Sequence, residues 1–299
     1  MKKVVYNGPK KIEIVDCDIP VPGPNEIVVK NVVALTCGTD VKIYKRGYIW
    51  DPPFSFGHEA SGVVYSVGEN VKKFKIGDRV FAHNTAPCNE CFYCKEGLHS
   101  LCENLVFNMG AFAEYQLIPE SIVKQNTFLL SDKMSHETAA LTEPFSCAVY
   151  GTDMLPIEMG SKVAVNGCGP LGLMFIKLCT LRGADVIACD MSEERLSKAL
   201  LMGASKVINI RNVEDQAKSV RKLTDGERGV DIAIEAVGLP SVWDISINMV
   251  RKGGTVLCFG GTKKGLKVEI DTTKLHYEQL TIKGVFHTTP RHVMQAFEL

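Results

Sequence analysis

The chain has 299 residues, 45% apolar and 23% charged, and its 34 Lys plus Arg balance 34 Asp plus Glu, so the formal net charge is zero. That length allows two domains, each with its own core, and the neutral balance removes any electrostatic case for nucleic acid or an anionic membrane surface, which leaves a small molecule as the expected partner. The opening MKKVVYNGPKK reaches Asn7, Gly8 and Pro9 too soon for a signal-peptide core, and no apolar run approaches the ~20 residues of a membrane span, so the expected location is the cytoplasm.

In chain order, the first half reads as short strands broken by Gly and Pro. Ile27–Val33, Ala60–Val67, Arg79–Ala82 and Ala113–Ile118 alternate with turn signals at PVPGPNE, VGEN and KIGDR, which predicts a β-rich, barrel-like domain. Within it lie Cys88, Cys91, Cys94 and Cys102, three thiols on a two-residue stride and a fourth after a short loop. That spacing lets four thiolates converge on one ion about 2.3 Å from each sulfur, a closed structural zinc site. Two disulfides are the alternative, disfavoured where thiols stay reduced. The other cysteines, Cys17, Cys147, Cys168, Cys179, Cys189 and Cys258, lie in apolar segments and read as small buried hydrophobes. A helical stretch over Ser135–Asp153 follows, with Ser135 as its cap.

After Gly160 strand and helix alternate. KVAVNG, DVIACD, KVINI, VDIAIEAVG, GTVLCFGG and LTIKGVF predict six apolar strands, with helices opening at Pro170, Ser192, Val213 and Pro240. The fold class is therefore α/β, a barrel-like first domain joined to a doubly wound parallel sheet. The expected boundaries are 1–150, 151–290 and a final piece, 291–299.

Between the first strand and helix of that sheet stands Gly167-Cys168-Gly169-Pro170-Leu171-Gly172. In this context Gly167 permits the turn, Gly169 lets a pyrophosphate approach the backbone, and Gly172 lets the helix pack on the sheet. Pro170 and Leu171 begin the helix whose N-terminus meets the phosphates. Asp190 closes the next strand, where a carboxylate accepts ribose hydroxyls and repels a 2′-phosphate; this favours NAD over NADP. Arg195 is the residue that could accommodate the extra phosphate, or it is a solvated surface charge.

Cys37 in CGTD and His58-Glu59 in FGHEASGVVYSVGENV offer a thiolate, an imidazole and a carboxylate, donors suited to a catalytic zinc with one open position. With GDRV, the four-cysteine lobe, GAFAEY, TEPFSCAVYG and GCGPLG in the same order, the chain resembles the zinc-dependent medium-chain alcohol and polyol dehydrogenases over nearly its whole length. The resemblance implies a GroES-like catalytic domain, a Rossmann domain, and an NAD-dependent zinc enzyme oxidising a secondary alcohol. It makes Cys37 and His58 zinc ligands, with Glu59 a direct or exchanging one. Glu143, in TEP, falls where alcohol dehydrogenases place a second cysteine and resembles the sorbitol and threonine dehydrogenase branches. Thr39 is implied to take the hydroxyl proton, while Lys42 stands where many relatives carry the histidine that completes the relay.

Tyr44, Tyr48, Trp50 and Phe286 are pocket candidates, with core packing as an equal reading. Relatives continue past RHVMQAFEL and return to the first domain, so 291–299 is expected to begin a return segment, apparently truncated. A homodimer or homotetramer is expected, from the resemblance and from GTVLCFGG near the sheet edge. A threonine 3-dehydrogenase and a non-catalytic zinc- and nucleotide-binding relative are the alternatives.

Overall fold

The computed structural model describes residues 1–47 and 50–299. Tyr48 lies outside the described residues. The chain divides into two compact units, Met1–Cys147 with Thr288–Leu299, and Ala148–His287. Among the described residues no helix is long and apolar enough to cross a membrane.

The first unit is built on a five-stranded antiparallel sheet in the order Thr127–Leu129, Arg79–Ala82, Glu59–Val67, Ile27–Leu35, Tyr115–Ile118. Its strands are rich in Val, which packs well on a pleated surface. The pairing of Ile27–Leu35 with Glu59–Val67 slips twice, between Val28 and Val29 and between Asn31 and Val33. Such bulges bend and twist a sheet, and here the bend needs Gly62, since a Cβ there would stand 2.2 Å from the carbonyl oxygen of Lys30. Ile27, Val29, Val64, Val80, Ile118 and Ile122 fill one core. A smaller three-stranded sheet orders Ile12–Asp16, Lys2–Tyr6 and Phe54–Ser55.

The last helix, Pro290–Glu298, returns to this unit. Val293 packs on Phe81 and Ala139, and Phe297 stacks on Phe128 at 4.9 Å and on Phe81 at 6.3 Å. The helical stretch before the second unit is broken in two, His136–Ala140 and Thr142–Asp153. Ser135 caps the first, its side chain accepting from the Thr138 amide at 3.1 Å. Pro144 accounts for the break: it has no N–H for the Ala140 carbonyl, and its ring would strike that carbonyl in a continuous helix.

The second unit holds six parallel strands in the order Lys206–Asn209, Asp185–Asp190, Lys162–Asn166, Val230–Glu235, Val250–Cys258, Thr281–Gly284. This is a doubly wound sheet whose order reverses between Lys162–Asn166 and Val230–Glu235, and ligands bind such sheets beyond the strand ends at that reversal. Val163, Ala164, Val165, Ile232, Ala233 and Ile234 are buried because helices cover both faces. The strand containing GTVLC is flanked on both sides, so it is not an edge; the edges are Lys206–Asn209 and Thr281–Gly284. The helix expected at Val213 starts at Gln216, because Asp215 caps it through the Lys218 amide at 2.8 Å.

Phe81 is fully buried between the sheet and the returning helix. Phe81→Ala is therefore expected to cost about 3–5 kcal/mol. Urea unfolding of both proteins checks this, and an unchanged midpoint would contradict the packing described.

Candidate functional site

The lobe thiols stand close enough together that one metal ion could be held among them. Sγ–Sγ distances are 3.5 Å for Cys88–Cys102, 3.9 Å for Cys91–Cys102 and 4.0 Å for Cys88–Cys94. Four sulfurs around one zinc at 2.3 Å would lie about 3.8 Å apart, whereas a disulfide needs about 2.05 Å. All eleven cysteines are free, and the four ligand atoms lie within 4.8 Å of one another. Local backbone geometry prepares the thiolates. Cys88 Sγ accepts from the amides of Glu90 and Cys91, both at 3.4 Å, and these bonds pull its pKa down to about 6. Cys94, by contrast, is pushed up to about 12, chiefly by burial, in the absence of a cation.

The second cluster, in the first unit, brings Cys37, His58 and Glu59 within 4.8 Å by their ligand atoms. Each comes from the end of an element. Cys37 caps the helix Gly38–Arg46, its Sγ accepting from the Thr39 amide at 3.3 Å, and Glu59 opens the strand Glu59–Val67. Asp40 aligns the two others. One carboxylate oxygen accepts from the Cys37 amide at 2.9 Å and the second lies 3.0 Å from His58 Nδ1. The Nδ1 proton is thereby fixed toward Asp40, which leaves Nε2 as the nitrogen that can offer a lone pair to a metal.

Charge in this cluster is strongly one-sided. His58, Glu59, Asp40 and Glu143 are all buried. Burial pulls the His58 pKa down, but hydrogen bonds to Asp40 and Cys37 and the charge of Glu143 push it up to about 12. Burial raises Glu143 to about 7, with His58 opposing and Glu59 and Asp40 adding to the rise. Glu59 is also raised, mainly by burial. One imidazole with three carboxyls around it in a buried setting makes a place where added positive charge is favoured. A divalent cation with thiolate, imidazole and carboxylate donors meets that need, and the donor set suits zinc.

Glu143 interacts with the cluster by charge but is outside the group of three that share one 4.8 Å sphere. Its neighbour is His83, fully buried, whose Nε2 lies 4.0 Å from the Glu143 carboxylate and 3.5 Å from Ser146 Oγ. Ser146 Oγ donates to the Glu143 carbonyl at 2.7 Å. Cys147 feels the charges of Glu143, Cys37 and Glu59 and is raised well above the ordinary thiol value, first by burial. It is thus a neighbour of the cluster, unlike Cys168, Cys179, Cys189 and Cys258, which are buried core residues as expected, and Cys17, which is only half-buried because it lies in the loop after the strand Ile12–Asp16. Asp40, His83 and Cys147 are the residues sequence reasoning misses. Asp40, the last letter of CGTD, and Cys147, within TEPFSCAVYG, stand inside motifs, whereas His83 left no signal.

In the second unit the glycine loop has the shape its spacing requires. Gly167 has φ +94°, and a Cβ on Gly172 would stand 1.8 Å from the Gly167 carbonyl oxygen. A Cβ at Gly169 would meet nothing within 4 Å, so the backbone there is open to a ligand. Gly169 is also the cap of the helix Pro170–Leu181 and supplies no side-chain bond, which leaves amides for an anion. Asp190, buried at the end of its strand, accepts from the amides of Cys168 at 2.8 Å and Ser192 at 2.9 Å. It therefore fastens the glycine loop to the end of its own strand. Arg195 Nη1 lies 3.8 Å from that carboxylate and is largely exposed, and Leu171 follows Pro170 in the first turn.

The aromatic candidates separate. Trp50 packs edge-on against Phe107 at 4.8 Å and Phe54 at 5.9 Å, whereas Tyr44 and Phe286 are exposed.

Residues 23–126 match the family profile described as "Alcohol dehydrogenase GroES-like domain", and residues 170–299 match "Zinc-binding dehydrogenase". The chain is 32% identical over 296 residues to sorbitol dehydrogenase of Bacillus subtilis (strain 168), covering 96% of this chain and 82% of that protein. It is 33% identical over 290 residues to L-threonine 3-dehydrogenase of Shewanella baltica, covering 93% and 81%. Its fold matches a structure from Sinorhizobium meliloti 1021, described as a zinc-binding dehydrogenase bound to NADP, with TM-score 0.92 and 29% identity over 100% of this chain and 87% of that one.

Two donor sets that share no residue are expected to bind two zinc equivalents per chain. Elemental analysis checks this, and full loading at one equivalent would remove one set. Cys91→Ser is expected to lower thermal stability and to release one equivalent only, since closed sulfur sites contribute folding energy.

Proposed function

We infer that this chain, which belongs to the zinc-dependent medium-chain alcohol and polyol dehydrogenase family, oxidises a secondary alcohol of a polyol, sugar or related small molecule and uses NAD. The observation that carries the reading is the group of half-buried Cys37 with buried His58 and Glu59, with Asp40 behind it, in a chain that also carries a complete glycine loop. Sorbitol dehydrogenase, at 32% identity, supports the polyol class.

Cys37 and His58 are assigned as zinc ligands, with Glu59 and Glu143 as the carboxylates that complete or exchange in the set. When bound, zinc polarises the substrate hydroxyl as a Lewis acid and the nicotinamide accepts the hydride. Asp40 holds His58 in one tautomer and orientation and strengthens it as a donor. Thr39, half-buried and two residues from Cys37, is assigned to take the hydroxyl proton. Lys42 stands where the resemblance implies a histidine, so the proton's exit is not assigned to a residue here. Cys88, Cys91, Cys94 and Cys102 are assigned a structural zinc. Gly167, Gly169, Pro170, Leu171, Gly172 and Asp190 are assigned to the dinucleotide. The corresponding domains are a catalytic one over 1–150, an NAD-binding one over 151–290 and a return segment from 291.

The threonine 3-dehydrogenase reading is supported by the Shewanella relative at 33% identity. Following NADH absorbance across a panel of polyols and amino alcohols decides between the two. We further propose a cytoplasmic homodimer or homotetramer, supported by eleven cysteines outside any disulfide and by the edge strand Thr281–Gly284, which is paired on one side only.

Glu143→Ala is expected to keep the fold and NAD binding but to lower kcat/KM at least about tenfold, with weaker metal retention. Circular dichroism, NAD titration and steady-state kinetics check the three parts, and parental turnover with unchanged zinc would sink the role given to Glu143. Because Asp190 disfavours a 2′-phosphate, NAD should be preferred to NADP, and Asp190→Ser should narrow the preference. Arg195 is the nearby cation that the variant would release. Kinetic constants for both cofactors test this; equal use of NADP by the parent would overturn it.

A further inference from the structure

A buried serine and a half-buried histidine join two segments that carry the cluster's carboxylates. Ser61 lies two residues after Glu59 on the same strand, and His136 lies seven residues before Glu143. Ser61 Oγ donates to the Val80 carbonyl at 2.9 Å, so it must accept at 2.8 Å from His136 Nδ1–H. That fixes the tautomer: Nε2 carries the lone pair and faces Arg79 Nε–H at 3.5 Å. The same guanidinium donates to the Ser131 carbonyl at 3.1 Å and the Met134 carbonyl at 2.5 Å, so it also holds the loop that leads into the helix. We propose that Ser61, Arg79 and His136 form a positioning clamp: neutral His136 holds the segment leading to Glu143 on the strand that starts at Glu59, and protonation of His136 opens it.

The opening follows from the bonds. A proton on Nε2 removes the acceptor and sets a second cation about 3.5 Å from the first. The charges that act on His136 are those of Arg79, from the adjoining strand, and Glu137, from its own helix; burial and then Arg79 lower its pKa while Glu137 opposes them. A base held below its ordinary value contributes stability that is complete above about 6.5, the unfolded value, and is lost as pH falls through the lower folded value. The clamp itself stands on this geometry, whereas its link to metal binding rests on the roles proposed above for Glu59 and Glu143.

The test uses the zinc-loaded full chain, as parent, His136→Asn and His136→Lys. Asparagine keeps a donor for Ser61 and does not titrate. Between about pH 7.5 and pH 5 the parent should lose about 2–4 °C more in Tm than His136→Asn. At about pH 8, lysine mimics the protonated state, and a chelator should strip zinc from the Cys37 set about tenfold faster than from the parent, with the lobe zinc unaffected and His136→Asn behaving as the parent. Should the lysine variant fail to fold, Arg79→Gln serves, with the same accelerated release. Parallel melting of parent and asparagine variant would overturn the clamp, and parental zinc retention by the lysine or glutamine variant would overturn its positioning role. If the parent holds no zinc at Cys37, the metal reading fails, and the melting comparison still decides the clamp.

Discussion

The short path from the Cys37 amide through the Asp40 carboxylate to His58 is the constraint on which the cluster depends. One buried carboxylate addresses a residue on its own helix turn and a residue that immediately precedes a distant strand, so the thiol and the imidazole meet without either segment having to be long. Removing that carboxylate would leave an imidazole free to rotate and a helix start without its reciprocal bond. The concentration of negative groups around His58 is costly in an apolar surrounding, and a bound cation offsets it. Metal binding and the packing of the first unit are therefore energetically coupled.

What could be read in the sequence was local. The four lobe cysteines lie within fifteen consecutive positions, and the glycines of the nucleotide loop within six, so chain stiffness alone brings them together. Cys37 and His58 are candidates by donor chemistry, and only the resemblance to a known family joins them in one set; their spacing in sequence has no geometric meaning of its own. Asp40 stood inside a quoted motif, yet its bond to His58 spans eighteen residues and needs the fold. His83, Cys147 and the bond between Ser61 and His136 depend on strand neighbours and on a helix face, which no periodicity announces. The split of the helical stretch was legible in principle, because Pro144 removes a donor at the point of the break.

The sheet of the second unit shows the same division. Its six apolar strands are visible as runs, but their order is a property of the crossovers. GTVLCFGG, expected near an edge, is the last strand but one. The following strand, Thr281–Gly284, takes the outer place instead.

The first unit is made from both ends of the described chain, and that has a consequence during synthesis. Residues 1–147 leave the ribosome early, whereas Val293 and Phe297 arrive only after the whole second unit has been made. Until then the rings of Phe81 and Phe128 lack the helix that covers them. Domains commonly begin folding as they emerge, so this half must pass through a stage in which an aromatic face is wet and adhesive. The nascent protein is most in need of protection at that stage, and the lobe thiols, all present once Cys102 is made, are clustered long before the last helix closes over the face.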